Sequence, residues 1–360
     1  MKQLIEKLRQ VKDPRRSWGN LRHKLCDIIF IGLASVICGG KDFVHMEDTG
    51  KLKESWFRQY LELPNGIPDS DTFRRTFERL NPKHFEDALC EIVDVKNRNV
   101  AIDGKTIRGS GNAEHKAYHV LSAWVSDLQL SIGQMAVEEK TNEITAIPEL
   151  IELFDLEGSI VTIDAMGCQK KIAEAIVEKD ADYALALKGN QPALLDDVRL
   201  YFEKEEVSEK KTTVEKDHGR IETRDYFLTA DIDWLDQRMD WPNLQAIGMV
   251  RSNVSFMNGK EPYTESRYYL LSFADIDTFA RVARSHWSIE NQLHWHLDVN
   301  FGEDASRARK GNSPLNLNIL RKEALFRLKA VDLGKRISVR RKINQASMSN
   351  SVLEKVMGFG

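Results

Sequence analysis

Through the first 95 residues apolar side chains recur three or four apart, as at Leu21, Leu25, Ile28 and Ile29 and again at Trp56, Phe57, Tyr60 and Leu61. That interval gathers them on one face of a helix. The run from Ile28 to Cys38 is apolar almost throughout and predicts a helix buried on all sides. Turn-forming residues collect in "LPNGIPDS", after which Ser70 is placed to cap a helix "DTFRRTFERL" that ends at Asn81-Pro82. This helix carries Arg74, Arg75 and Arg79, so the helix, turn and basic helix read either as a DNA-reading unit or as an amphipathic helix with its arginines outward. No strand pattern appears before residue 95.

Near Val100 the period changes. "VAID" stops at Asp103, "AYHVLSAWV" and "QLSIGQMAV" flank an Asp127-Leu128 turn as a hairpin, and "SIVTID" stops at Asp164 after the helix "EITAIPELIELF". A helix "CQKKIAEAIVEK" then leads to the strand "DYALALK". Three strands, helix, strand, helix, strand is the order of a ribonuclease H-like core, a hairpin meander continued by right-handed crossovers. The predicted fold is therefore α/β: a ribonuclease H-like mixed sheet with flanking helices, beginning at residues 96–190 and preceded by an N-terminal helical domain, 1–95. Over 191–273 a long helix to Glu206 and alternating segments around Thr212, Tyr226, Ala246 and Tyr269 predict an inserted β-rich subdomain. Residues 274–345 return to core helices and a basic region, and 346–360 form a C-terminal tail.

Composition narrows the class. The chain has 360 residues, 42% hydrophobic and 30% charged, as in globular proteins, and its longest apolar run is too short to cross a bilayer. No membrane partner and a reducing cytoplasm are expected, since Cys26, Cys38, Cys90 and Cys168 form no CxxC pair. A net charge of −3 does not by itself point to nucleic acid. Its distribution says more: between Ala305 and Gln345 twelve Lys or Arg, among them Arg307, Arg340, Arg341 and Lys342, face only Glu323 and Asp332. Such a stretch tracks phosphates, or it is a solvated helix face with a basic tail.

Two short strands that each stop at an aspartate carry the candidate chemistry, because functional groups in an open α/β sheet collect beyond the carboxyl ends of its strands. With Asp103 and Asp164 on parallel neighbours, both reach one metal ion. A third carboxylate, Glu290, lies beside the apolar stripe Ile289, Leu293 and Leu297 of a helix suited to pack on that sheet. Hard divalent cations prefer such oxygens, and two of them clamp the oxygens of an in-line displacement at phosphorus. The spacing of His286, His294 and His296 departs from HExxH, which argues against zinc, and Asn99 stands where a phosphate loop leading into "DGKT" needs glycine. Lys170, Lys171 and Lys188 fall near strand ends, where they either hold a DNA backbone or are ordinary surface lysines. "HGRIETR", with His218, Arg220, Glu222 and Arg224, mixes donors in what is otherwise a charged hairpin.

The segments "AIDGKTIRGS", "NEITAIPELI", "TIDAMGCQK", "ALKGNQ", "HGRIETR", "RYYLLS" and "HWSIENQLHWHLDVNFGEDASRAR" occur in one order along the chain. Together they closely resemble the H-repeat-associated (Rhs-element-associated) insertion-sequence transposases of the DDE group. The resemblance implies DNA strand cleavage and strand transfer, with Asp103, Asp164 and Glu290 as catalytic metal ligands for Mg²⁺, replaceable by Mn²⁺, as two ions. It implies double-stranded DNA partners, terminal inverted repeats and target, with a homodimer at synapsis and a bacterial cytoplasmic, nucleoid-associated setting. Related transposases carry a lysine seven positions after the glutamate. Here that position is Leu297, leaving His294, His296 and Arg307 as substitutes for its phosphate contact. A nuclease of the same fold and a catalytically silent DNA-binding remnant are the alternative readings.

Overall fold

A computed structural model describes residues 1–15, 21–89, 93–113, 115–137, 143–207, 209–217, 219–334 and 337–358. Cys90, His218, Lys335 and Arg336 lie outside the described residues. The N-terminal region is helical: α1 (Lys2–Arg9), α2 (Leu25–Ile37), α3 (Phe43–Leu52), α4 (Glu54–Phe57), α5 (Ser70–Arg79) and α6 (Pro82–Leu89). Every residue of α2 except Cys26 is buried, as its unbroken apolar run requires. Helix α5 is capped by Asp69, whose carboxylate accepts from the Thr72 amide at 2.7 Å, and not by Ser70, which is already the first helical residue.

The rest of the chain contributes β1 (Asn99–Thr106), β2 (His119–Val125), β3 (Leu130–Val137), α7 (Glu143–Glu152), β4 (Ile160–Ile163), α8 (Lys170–Val177), β5 (Asp182–Leu187) and α9 (Pro192–Lys204). Then follow β6 (Glu209–Asp217), β7 (Arg220–Thr229), β8 (Ala246–Phe256), β9 (Tyr263–Leu271), α10 (Ile276–Ile289), α11 (Trp295–Val299), α12 (Ser313–Ala330), α13 (Val339–Met348) and α14 (Asn350–Gly358). The strands form one mixed nine-stranded sheet in the order β3-β2-β1-β4-β5-β9-β8-β7-β6. β1 is antiparallel to β2 and parallel to β4, β4 is parallel to β5, and β9 joins β5 antiparallel through Ala184 opposite Leu271. The β-rich stretch after residue 191 therefore extends the same sheet, covering the edge of β5 whose backbone groups would otherwise lack partners.

The last helices pack where the chain begins. Leu320 and Leu325 of α12 and Leu353, Val356 and Met357 of α14 are buried in one apolar cluster with Leu4, Phe30, Phe57 and Phe77. Residues 350–358, expected as part of a tail, are thus a core helix. Part of the positive stretch is also internal: of its twelve Lys and Arg, Arg321, Lys322, Arg327 and Lys342 are buried, while Arg307, Lys310, Arg340 and Arg341 are exposed. Arg321 pairs with the fully buried Glu303 at 3.3 Å, Arg327 with Glu323 at 2.6 Å, and Lys322 donates to Ser122 Oγ at 2.7 Å. Lys342 donates to the Val331 carbonyl at 2.8 Å beyond the end of α12. Its burial removes it from the predicted DNA surface, because an ammonium engaged with helix-terminal carbonyls is not available to phosphate. Arg340 and Arg341 remain exposed.

Candidate active site

The parallel pairing of β1 with β4 ends at Ile102 opposite Ile163. Asp103 and Asp164 are the next residues on each strand, so they stand side by side where the two strands part. β1 itself does not stop at Asp103 but continues to Thr106 against β2 alone. Gly104 permits this course: a Cβ there would lie 2.4 Å from His119 Nε2 and 2.7 Å from Glu143 Oε1, a buried pair hydrogen-bonded at 2.5 Å. The Gly104 amide donates to Asp103 Oδ1 at 2.9 Å, and Asp164 Oδ1 accepts from the Met166 amide at 3.0 Å, which caps a short 3₁₀ turn.

Glu290 opens a five-residue π-helical segment, Glu290–His294, between α10 and α11. The extra residue in that turn leaves Glu290 exposed on the cleft side while Leu293 and His294 turn inward. Asp103, Asp164 and Glu290 line a single cleft of about 570 Å³, together with Lys188, Arg267 and Trp287. Burial, reinforced by the charges of Asp164 and then Glu290, pushes the Asp103 carboxyl up to about 8.

Three carboxylates with no thiolate are a donor set for a hard divalent cation, and the charge pressure on Asp103 is what such a cation relieves. Among the described residues no three His, Cys, Asp or Glu form a ready-made metal cluster. The three acids share one cleft without closing into such a cluster.

The transposase DDE domain profile matches residues 96–325, and that of the associated domain, DDE_Tnp_1-associated, matches 5–93. The chain belongs to the DDE transposase family. YhhI of Escherichia coli K12, an H repeat-associated protein, is 35% identical over 383 residues, covering 99% of this chain and 98% of YhhI. A protein from the dhlA 3′ region of Xanthobacter autotrophicus is 46% identical over 254 residues, 67% of this chain and 85% of that protein. YbfQ of E. coli K12, named an inactive transposase, is 35% identical over 75 residues, 21% of this chain and 88% of YbfQ. Among solved structures, a piggyBac transposase in a synaptic complex with hairpin DNA aligns at TM-score 0.48 and 11% identity over 99% of this chain and 78% of that one.

In this DDE family member the other sequence-predicted residues scatter. Lys188 is exposed at the cleft, but Lys170 is turned to Asp240 at 2.7 Å and does not line it. Arg220 is exposed beside Glu222 at 3.7 Å, and Arg224 ties Glu222 at 2.6 Å and Glu215 at 2.9 Å, the charged-hairpin arrangement. His294 does not offer a phosphate contact: it is 8% exposed, burial pushes its imidazole down to about 3, and Nδ1 lies 3.4 Å from Asp103 Oδ2. His286 Nδ1 meets Thr162 Oγ1 at 3.0 Å and His296 Nδ1 meets Asn300 Nδ2 at 2.6 Å, so each histidine has a separate local partner. Arg74 and Arg307, 233 residues apart in sequence, line one groove of about 710 Å³ with Lys41, Arg309 and Lys310 and with Asp42, Asp71 and Glu78, and Arg74 is paired with Asp71 at 2.9 Å and Glu78 at 2.7 Å. Arg75 and Arg79 are exposed on the same helix as Arg74.

Sequence reasoning gave no role to Arg267 and Trp287, whose guanidinium and ring stack at 4.4 Å in the cleft wall. Both lie within the quoted segments "RYYLLS" and "HWSIEN", which was the available signal.

Proposed function

We propose that the protein is a DDE transposase that cuts the ends of an insertion-sequence element and joins them to target DNA. The observation that carries this reading is the meeting of Asp103, Asp164 and Glu290 at one cleft, two of them beyond adjacent parallel strands. The strand order β3-β2-β1-β4-β5 supports a ribonuclease H-like core, continued here by four further strands.

Asp103, Asp164 and Glu290 are the residues that would hold Mg²⁺ or Mn²⁺, as two ions. When bound, the ions supply activation of the attacking oxygen and stabilisation of the leaving one. The chain's own groups do the orienting. Backbone amides of Gly104 and Met166 fix one oxygen each of Asp103 and Asp164. Lys188 and Arg267 offer positive charge at the cleft for a phosphate backbone. The reaction is a pair of in-line displacements at phosphorus: water frees a 3′ hydroxyl at the element end, and that hydroxyl attacks target DNA. The helical domain over 1–95 contributes DNA contacts through Arg74, Arg75 and Arg79. The groove that joins Arg74 to Arg307 is the DNA-backbone surface outside the cleft, and two protomers hold two ends at synapsis.

A silent DNA-binding remnant is the second reading, favoured by the inactive relative YbfQ. Incubation with the protein's own element ends, a target plasmid and Mg²⁺ or Mn²⁺ separates the possibilities. Joined products support transposition, cleavage alone indicates a nuclease, and binding alone a remnant. Asp103→Asn, Asp164→Asn and Glu290→Gln should each abolish cleavage and joining while DNA binding persists, and combining them should add little further loss. Normal cleavage by all three variants would sink the DDE assignment.

A further inference from the structure

Two residues beyond Asp103, on the same face of β1 by the alternation of a strand, is Lys105. Its side chain is 11% exposed and its ammonium sits among three carboxylates: Asp298 Oδ1 at 2.8 Å, Asp304 Oδ1 at 3.1 Å and Glu303 Oε2 at 3.4 Å. Asp298 belongs to α11, eight residues after Glu290. Glu303 is fully buried, and its other oxygen accepts from Asn318 at 2.9 Å and pairs with Arg321 at 3.3 Å, both on α12. One ammonium thus joins the strand of Asp103, the helical segment that follows Glu290, and the long C-terminal helix.

The contacts form a two-rung ladder. On β1, positions 103 and 105 are separated by roughly 6.7 Å, two strand residues. Opposite them, His294 faces Asp103 at 3.4 Å and Asp298 faces Lys105 at 2.8 Å. Four helical residues rise about 6 Å, so the two spacings match and both rungs are made at once. Sliding the helix by one residue moves it about 1.5 Å and turns it about 100°, which breaks both. The first rung is made by the last residue of the π turn Glu290–His294, the point at which the winding of the helix changes.

We propose that Lys105 is a positioning residue that fixes the register of the Glu290 helix against the Asp103 strand and so sets the spacing of the acids that take the divalent ions. This rests on the reading of Asp103, Asp164 and Glu290 as metal ligands. Lys105 is not itself a phosphate contact, because it is enclosed by three negative groups that repel a phosphate.

The test uses full-length protein titrated with Mn²⁺ alone by calorimetry, together with amide exchange in metal-free protein. Asp298→Asn keeps the shape of the rung and removes its charge. It should weaken Mn²⁺ binding 10- to 100-fold, about the range for residues that orient a metal ligand. Exchange should quicken at the amides of Glu290 to Asp298 and not elsewhere, DNA affinity should hold, and Asp298→Glu should recover part of the Mn²⁺ affinity. Should Asp298→Asn not fold, Asp304→Asn, which removes another of the three charges that hold the Lys105 ammonium, carries the same expectations. A folded variant with unchanged Mn²⁺ affinity and unchanged local exchange overturns the proposal, as does loss of DNA affinity with Mn²⁺ binding intact. If wild type and Asp103→Asn bind Mn²⁺ equally, the metal reading fails, and the exchange result alone decides the ladder.

Discussion

Replacing Gly104 with alanine tests the geometry beneath the acids. The added methyl would sit 2.4 Å from His119 Nε2 and 2.7 Å from Glu143 Oε1, well inside contact distance. Neither neighbour is the tip of a flexible chain in solvent: the two side chains are 4% and 5% exposed, bonded to each other at 2.5 Å, and His119 is held from its other side by Thr106 Oγ1 at 2.8 Å. The backbone has little room to retreat, because Gly104 is paired with Leu121 across β2 and Ile102 with Ile163 across β4. Overpacking at such a site costs about 1–3 kcal/mol, and leaving a buried hydrogen-bonding group unsatisfied about 1–3 kcal/mol. Overpacking with partial displacement of the pair puts the expected loss at about 3 kcal/mol. Urea unfolding followed by tryptophan fluorescence measures it, with Gly189→Ala as control, since nothing lies within 4 Å of a Cβ there. The control should stay within about 0.5 kcal/mol of wild type. Cleavage by Gly104→Ala should fall further than its stability explains, because a shift of about 1 Å at Asp103 is worth roughly 100-fold in rate. Equal stability of Gly104→Ala and Gly189→Ala would refute the close approach of β1 to the His119–Glu143 pair.

The basic C-terminal region should divide cleanly. Arg340→Ala with Arg341→Ala should flatten the salt dependence of DNA binding by a slope of about 2 and leave the thermal transition in place, whereas Lys342→Ala should lower stability by about 1–2 kcal/mol and leave the salt slope unchanged. Salt titrations and melting curves on both variants check this. Glu215 is held down to about 2 by its bonds to Arg284 and, against the opposing effect of burial, to Arg224. A carboxyl depressed on folding stabilises above its unfolded range, near 4.5, and loses that contribution as pH falls toward 2. Glu215→Gln should therefore melt below wild type at pH 6, with the gap closing between pH 4.5 and 2; a gap constant with pH would show that the charge of Glu215 contributes nothing.

What the sequence by itself determined follows from local periodicity and from where it changes. Unbroken apolar spacing is enough to place α2, because a helix buried on every side needs no partner named in advance. Runs of four to eight strand-forming residues, separated by helices, are enough to make β1 and β4 parallel neighbours and to bring Asp103 beside Asp164. Those arguments use only the chain within some sixty residues. Only the tertiary structure decided which charges are inside. A run of lysines and arginines reports the side chains but not the element that will cover them, and no periodicity marks Glu303, Ser122 or the carbonyls beyond α12 as their partners. The same holds for α14, whose apolar face gains its place in the cluster it shares with α2 and α12, and for β9, whose partner β5 precedes it by a helix and three strands. The π turn at Glu290 and the Lys105 cluster are set by packing between strand and helix, where side-chain register is a property of the pair and not of either sequence.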